Sequence, residues 1–254
     1  MKAIIIAAGS SSRFEKLCES LPKGLLEING QTIIQRQIEF LRTSGINDIV
    51  IVTGPNAHCF DFKDITYVHD HNYEQHDVLG SLMVARNFMY DGFIMLYSDI
   101  VFDESVLKSI LNFKGKIGIG VDMDWEKKYE KRTEHPAIEA DNVLINNGKV
   151  LQIKKNMANE MKNEKLGEFI GIMCLSSKGA KNLVRIYERL KKNQEGLFQN
   201  APSLKKAYLT DMLQELIDLN FNVEPIICNG TWCEIDTPQD LEIARKNFCN
   251  MFIS

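Results

Sequence analysis

Two familiar phosphate-binding patterns are missing from this sequence. No G-x-x-x-x-G-K-[ST] run occurs, which excludes a P-loop NTPase, and no G-x-G-x-x-G follows the first apolar strand, which argues against a dinucleotide fold. No stretch approaches the ~18 apolar residues of a membrane span. The N-terminus runs straight into an apolar segment without a basic region and cleavage site, so no signal peptide is expected. Charge of one sign is also lacking. Thirty Lys and Arg against 34 Asp and Glu leave a net charge of −4, so neither a nucleic-acid nor a membrane partner is expected. None of the six cysteines forms a C-x-x-C pair; reduced thiols and a cytoplasmic location are the expectation. A chain of 254 residues can bury roughly three quarters of its unfolded surface and needs no staples.

What is present concentrates in the first thirty residues. Ala3 to Ala8 are apolar without alternation, the pattern of a strand buried on both faces in a parallel sheet. The strand runs into Gly9, Ser10, Ser11 and Ser12, whose small side chains let backbone N–H groups form a nest for anionic oxygens. Arg13 and Lys23 add full positive charges. A buried strand, a small-residue loop and two cations point to a polyphosphate site formed by Ala7, Ala8 and the loop.

The chain then alternates between strand and helix patterns. Thr32–Ser44 carries Ile34, Ile38 and Leu41 at helical spacing, with Gly45 as the stop. Asp48–Thr53, Ile65–His69, Phe93–Tyr97 and Ile117–Val121 read as strands, with helices over Val78–Met89 and Ser105–Phe113. This predicts an α/β fold with a mostly parallel central sheet and helices on both faces. In the second half, Asn146-Asn147-Gly148 signals a small β-hairpin extension within Ala137–Lys154. Phe169–Leu175 and Val223–Cys228 read as strands, and Lys178–Lys192 and Leu209–Leu219 as helices. Pro238–Phe248 reads as a closing helix with Thr237 as its N-cap. Lys191–Lys206 is polar and aperiodic and reads as a mobile loop. One domain is expected, with a nucleotide-binding half at 1–122 and an acceptor-binding half at 123–254.

In open parallel sheets, ligands bind outside the carboxyl ends of the strands. Asp99 follows the Phe93–Tyr97 strand and Asp236 follows Trp232–Ile235, so both are expected at strand ends of that sheet. Two carboxylates converging beside a phosphate loop suit Mg²⁺, a hard cation that takes oxygen ligands. A helix-flanking role would account for each acid singly. His69, His71 and His76 lack the spacing of a closed tetrahedral metal site.

Ala7-Ala8-Gly9-x-x-x-Arg13, Pro22-Lys23, Ser98-Asp99 and Glu234-Ile235-Asp236-Thr237 together resemble the nucleotidyltransferases of glycosyltransferase-A-like fold. The similarity is greatest to small-acceptor cytidylyltransferases acting on phosphocholine, 2-aminoethylphosphonate or phosphoglutamine. The resemblance implies a loop that wraps a triphosphate, Lys23 on the phosphates, and Mg²⁺ on Asp99 and Asp236. It implies CMP transfer from CTP to a small phosphorylated or phosphonylated acceptor, in the service of surface polysaccharide or capsule modification. Here the family's glycine-rich loop is Gly9-Ser10-Ser11-Ser12-Arg13. Asp77, Gly80 and Ser81 resemble the base-contacting segment, with Gly54 as a border. A homodimer is left open.

The acceptor side offers Arg132, His135, Lys154, Glu168, Asp211 and Trp232, with Trp125, Tyr129 and Tyr208 as further aromatic or polar candidates. Arg132-x-x-His135 adds positive charge and suits an acceptor bearing a carboxylate; two tryptophans leave little for an aromatic cage. Two other readings stand beside this one: a sugar-1-phosphate nucleotidylyltransferase using UTP or dTTP, and a non-catalytic nucleotide sensor. A metal-dependent glycosyltransferase lacks its D-x-D pair, since Asp99 is followed by Ile100 and Val101.

Overall fold

The computed structural model describes residues 1–9, 21–130, 132–161 and 165–249. The strands are β1 (Lys2–Ala7), β2 (Glu27–Ile28), β3 (Gln31–Thr32), β4 (Ile49–Thr53), β5 (Thr66–His69), β6 (Gly92–Tyr97), β7 (Ile100–Phe102), β8 (Ile117–Asp122), β9 (Asp141–Asn146), β10 (Lys149–Lys155), β11 (Leu166–Ser176), β12 (Glu224–Ile227) and β13 (Trp232–Glu234). The helices are α1 (Ile33–Thr43), α2 (Val78–Val84), α3 (Glu104–Leu111), α4 (Glu126–Tyr129), α5 (Met157–Glu160), α6 (Ser177–Asn193), α7 (Leu209–Asp218) and α8 (Pro238–Asn247).

Among the described residues, nine strands form the central sheet, in the order β10-β9-β11-β6-β1-β4-β5, with β8 on β11 and β12 on β8. β1 pairs in parallel with β4 and β6, β4 with β5, and β8 with β12. β11 runs antiparallel to β6, β8 and β9, and β10 antiparallel to β9. All but β10 and β11 therefore point the same way. The expected hairpin is β9–β10, continuous with the sheet through β11.

The period of two along β1 explains why it reads as unbroken apolar sequence. Ala3, Ile5 and Ala7 face a core completed by α1 and α3, through Ile34, Ile38, Val106 and Ile110. Ile4, Ile6 and Ala8 face the opposite core, with Leu79 and Leu82 of α2, Leu183 of α6 and Met212 of α7. Both faces are covered, so both sets must be apolar. Truncating a fully buried residue such as Ile5 to Ala would cost about 2–5 kcal/mol. A third cluster packs Leu241 of α8 and Phe248, the residue that follows the helix, with Ile28 and Ile235.

Two segments depart from the sequence reading. Lys191–Lys206, expected as a mobile loop, is pinned to the core. Phe198 and Ala201 exchange backbone hydrogen bonds, and both are buried together with Leu204 in a 3-10 turn. Three apolar residues at intervals of three anchor an otherwise polar stretch. Asp236 does not end a strand of the central sheet. It follows β13, which pairs antiparallel with β7 in a separate two-stranded ribbon.

Candidate active site

That ribbon brings the two aspartates together. Cys233 lies opposite Val101 and Glu234 opposite Ile100, and one step further the Ile235 N–H donates to the Asp99 carbonyl at 2.8 Å. Asp99 thus leaves the end of β6 just where the ribbon delivers Asp236. Lys23 arrives from the other side, on a 3-10 turn whose Leu25 and Leu26 N–H groups donate to the carbonyls of Pro22 and Lys23. Its Nζ lies 3.3 Å from Asp99 Oδ2 and also hydrogen-bonds Asp236 Oδ1.

Charge in this cluster is strongly perturbed. Burial opposes the Lys23 charge, but Asp99 and Asp236 outweigh it and hold the ammonium above the ordinary lysine range. Burial pushes the Asp99 carboxyl up, Asp236 adds to this, and Lys23 offsets part of it. Burial lifts Glu234 well above the usual carboxylate range, with Asp236 and Asp99 contributing further. Three carboxylates face the Lys23 ammonium.

These side chains open onto a cleft of about 370 Å³ that also meets Ala7, Gly9, Asp77, Ser98, Lys155 and Tyr208. That volume lies in the range of small-molecule sites. Ala7 and Gly9 form its wall at the carboxyl end of β1. Ala8 is buried behind them, where Gly54 is required: a Cβ there would sit 2.3 Å from the Ala8 carbonyl oxygen. Gly54 therefore seats β1 against β4. Ser10, Ser11, Ser12 and Arg13 lie outside the described residues.

Of the expected base-contacting segment, only Asp77 reaches this cleft. Its side chain makes no capping hydrogen bond to α2, and burial pushes its carboxyl upward against the pull of Lys206 and Lys155. Gly80 and Ser81 point elsewhere. Ser81 Oγ donates to buried Asp70 at 2.9 Å, and Asp70 also holds His76 Nδ1 at 2.9 Å and the Asn72 N–H at 2.9 Å. The His76 ring packs directly on Gly80, where a Cβ would come within 2.5 Å of it. Gly80 makes room for histidine, and it lines a separate groove with Arg86 and Tyr187.

The expected acceptor residues divide into scaffold and lining. Arg132 is held within the scaffold, and His135 both contacts it and lines the recess described below. Arg132 Nε donates to Asp240 Oδ1 at 2.8 Å, and its Nη2 donates to His135 Nδ1 at 2.6 Å. Asp240 caps α8, accepting on Oδ2 from the Thr237 N–H and hydroxyl, both at 2.9 Å, and from the Asp236 N–H at 3.1 Å. Burial alone would raise the Asp240 carboxyl, but His135, Arg132 and Thr237 hold it well below the usual range. The buried guanidinium thus fixes the start of α8, which follows directly on Asp236, and Arg132 does not line the cleft. Asp211 caps α7, accepting from the Tyr208 N–H at 2.8 Å and the Asn200 N–H at 3.1 Å. Lys154 lies with Asp211 on another pocket. Trp125 is buried, its Nε1 donating to the Leu166 carbonyl at 3.1 Å.

Glu168, Trp232 and His135 do line an inner recess beside the cleft, with Tyr97, Asp141 and Phe169. Trp232 Nε1 donates to Asp122 Oδ2 at 2.8 Å, and Tyr129 donates its hydroxyl to Glu168 Oε1. Tyr97, Asp141, Lys155 and Glu234 are shared by recess and cleft, and sequence reading missed all four. Two carried a usable signal. Tyr97 and Glu234 precede Asp99 and Asp236 by two residues, and in extended chain such positions share a face. Lys155 was one residue from the chosen Lys154.

The donor set can be tested against a metal. Asp99 and Asp236 offer hard carboxylate oxygens beside Glu234, which suits Mg²⁺. His135, Glu234 and Asp236 also place ligand atoms within 4.8 Å of one another, but His135 Nδ1 is already engaged by Arg132. The oxygen set fits better.

Residues 3–119 match the MobA-like NTP transferase domain. The chain is 29% identical over 256 residues, 96% of its length and 98% of the relative's, to a CTP:phosphoglutamine cytidylyltransferase of Campylobacter jejuni subsp. jejuni. It is 34% identical over 110 residues to a choline-phosphate cytidylyltransferase of Haemophilus influenzae, covering 42% of this chain and 47% of that one. The solved structure of CTP:phosphocholine cytidylyltransferase from Streptococcus pneumoniae superposes with a TM-score of 0.74 at 21% identity, covering 97% of this chain and 98% of that one. Over residues 3–119 the chain matches the MobA-like NTP transferase domain, and along nearly its whole length it is similar to a CTP:phosphoglutamine cytidylyltransferase.

Proposed function

We propose that this protein transfers CMP from CTP to a small phosphorylated or phosphonylated acceptor, releasing pyrophosphate. The observation that carries this reading is the convergence of Lys23, Asp99 and Asp236 at the mouth of the cleft whose wall is Ala7 and Gly9. Similarity to cytidylyltransferases supports CTP as the donor.

In the reaction, an oxygen of the acceptor phosphate attacks the α-phosphorus of CTP. The new P–O bond forms as the bond to the β-phosphate bridge breaks, and the electron pair leaves on pyrophosphate. The nucleophile is already ionised, so positioning and charge neutralisation do the catalytic work. Lys23 places a fixed ammonium against the phosphates. Asp99 and Asp236 would hold Mg²⁺, which would neutralise charge building on the α-phosphate and the leaving group. Lys155, at the junction of cleft and recess, would orient the acceptor phosphate. Asp77, which lines the cleft, would accept from the cytosine amine and repel the uracil carbonyl, a mismatch worth ~1–3 kcal/mol.

The test is pyrophosphate release from CTP, UTP, GTP and ATP against a panel of phosphorylated small molecules. CTP is expected to be preferred by about 5- to 150-fold over UTP. Equal or better use of UTP or dTTP with a sugar 1-phosphate would install the sugar-nucleotide reading instead. CTP binding without turnover on any acceptor would favour the sensor.

A further inference from the structure

The inner recess holds two carboxylate oxygens that the protein leaves without partners. Glu168 is 3% exposed and lines the recess. Its Oε1 takes the Tyr129 hydroxyl, while Oε2 is buried with no hydrogen bond. Asp141 Oδ1 is likewise buried and unbonded on the same recess. Buried carboxylate oxygens are almost always satisfied, because a bare one keeps the full cost of its lost hydration. Two in one recess, beside the transfer site, are best explained by a ligand that supplies the missing donors.

The sign of the ligand follows from the lining. Glu139, Asp141, Glu168, Glu234 and Asp236 line this space against one lysine, Lys155, which the cleft shares, and the guanidinium of Arg132 is turned away onto Asp240. An anionic group on the acceptor would be repelled here. Resting on the transferase reading above, we infer that the acceptor carries a protonated amine at the end remote from its phosphate, and that this ammonium docks on Glu168 Oε2 and Asp141 Oδ1. A quaternary trimethylammonium has charge but no N–H, so it would leave both oxygens bare. A primary ammonium has three donors, enough for both carboxylates. Tyr97, Phe169 and Trp232 wall the recess with rings that suit the adjoining methylenes and add cation–π attraction. Burial lifts the Asp141 carboxyl to about 6 against the pull of Lys155, and the Glu168 carboxyl to about 8 against the pull of Tyr129 and Arg132.

The experiment compares three acceptors of similar size with CTP: phosphoethanolamine, phosphocholine and ethyl phosphate. Phosphoethanolamine should exceed both others in kcat/KM by about 10- to 100-fold, the worth of charge-assisted hydrogen bonds. Glu168→Gln and Asp141→Asn, which keep shape, should each raise its KM by a larger factor than they alter the slow turnover of ethyl phosphate. A wild-type preference for phosphocholine or ethyl phosphate overturns the proposal without needing either variant to fold. An equal loss on all three acceptors in both variants also overturns it. Turnover of none of the three with CTP still bound by calorimetry overturns the ammonium site alone; failure to bind CTP removes the transferase reading as well.

Discussion

Asp236 and Asp240 sit four residues apart on the same chain segment, yet they live in opposite chemistry. Asp240 is fully buried and accepts from the Asp236 and Thr237 N–H groups, the Thr237 hydroxyl and Arg132. Its charge is consumed within the fold, and its carboxyl is held well below the usual range. Asp236 faces the cleft beside Asp99 and Glu234, where like charges crowd and carboxyl groups are pushed up. Residue type does not separate structural acids from functional ones here; the supply of internal donors does. The same contrast divides Asp70, which binds Ser81, His76 and Asn72, from Asp77, whose side chain does not cap α2.

Substitutions can break this contrast from either side. The largest effect is expected in catalysis. Asp99→Asn or Asp236→Asn should lower kcat by about 10³-fold, the upper range for losing one transition-state stabiliser, with the melting temperature nearly unchanged. Asp240→Ala should do the reverse. It strands the Arg132 guanidinium in the interior and should destabilise the fold by about 3–5 kcal/mol, read by denaturant unfolding. Lys23→Ala should lower kcat by about 10²-fold while acceptor KM moves little, because the role proposed for the ammonium is on the donor phosphates. Gly80→Val should cost about 1–3 kcal/mol of stability by driving into His76, with CTP affinity changed only through displacement of the Asp70–His76 loop.

The smallest effect concerns pH. Glu168 titrates near 8 in the fold against about 4.5 unfolded, so the native state binds the extra proton. Stability should fall as pH rises from about 4.5 to about 8, and Glu168→Gln should flatten that slope in urea titrations. Asp240 has the opposite sign: its stabilisation is present above the unfolded pKa and is lost as pH falls through the folded one.

Much of the fold was legible in the sequence because periodicity reports burial directly. Unbroken apolar runs marked β1, β4 and β6, and Thr237 marked the start of α8. Lys23, Asp99 and Asp236 stood out as a motif set. Contacts between distant segments were not legible. Nothing local announces that Trp232–Glu234 pairs with Ile100–Phe102, or that Arg132 reaches back under α8. Arg132 therefore reads as acceptor-binding charge, when its carboxylate partner Asp240 lies 108 residues away. Gly80 and His76 were different. They lie four residues apart at a helix start, a spacing that puts side chains in contact, so the steric role of Gly80 was within reach.

The most direct measurement is pyrophosphate release from CTP, with Mg²⁺ and phosphoethanolamine, by wild-type protein and Asp99→Asn side by side. The wild type should turn over, and Asp99→Asn should fall by about 10³-fold at an unchanged melting temperature. A near wild-type rate for Asp99→Asn would contradict the assignment of the Asp99–Asp236 pair as the centre of transfer.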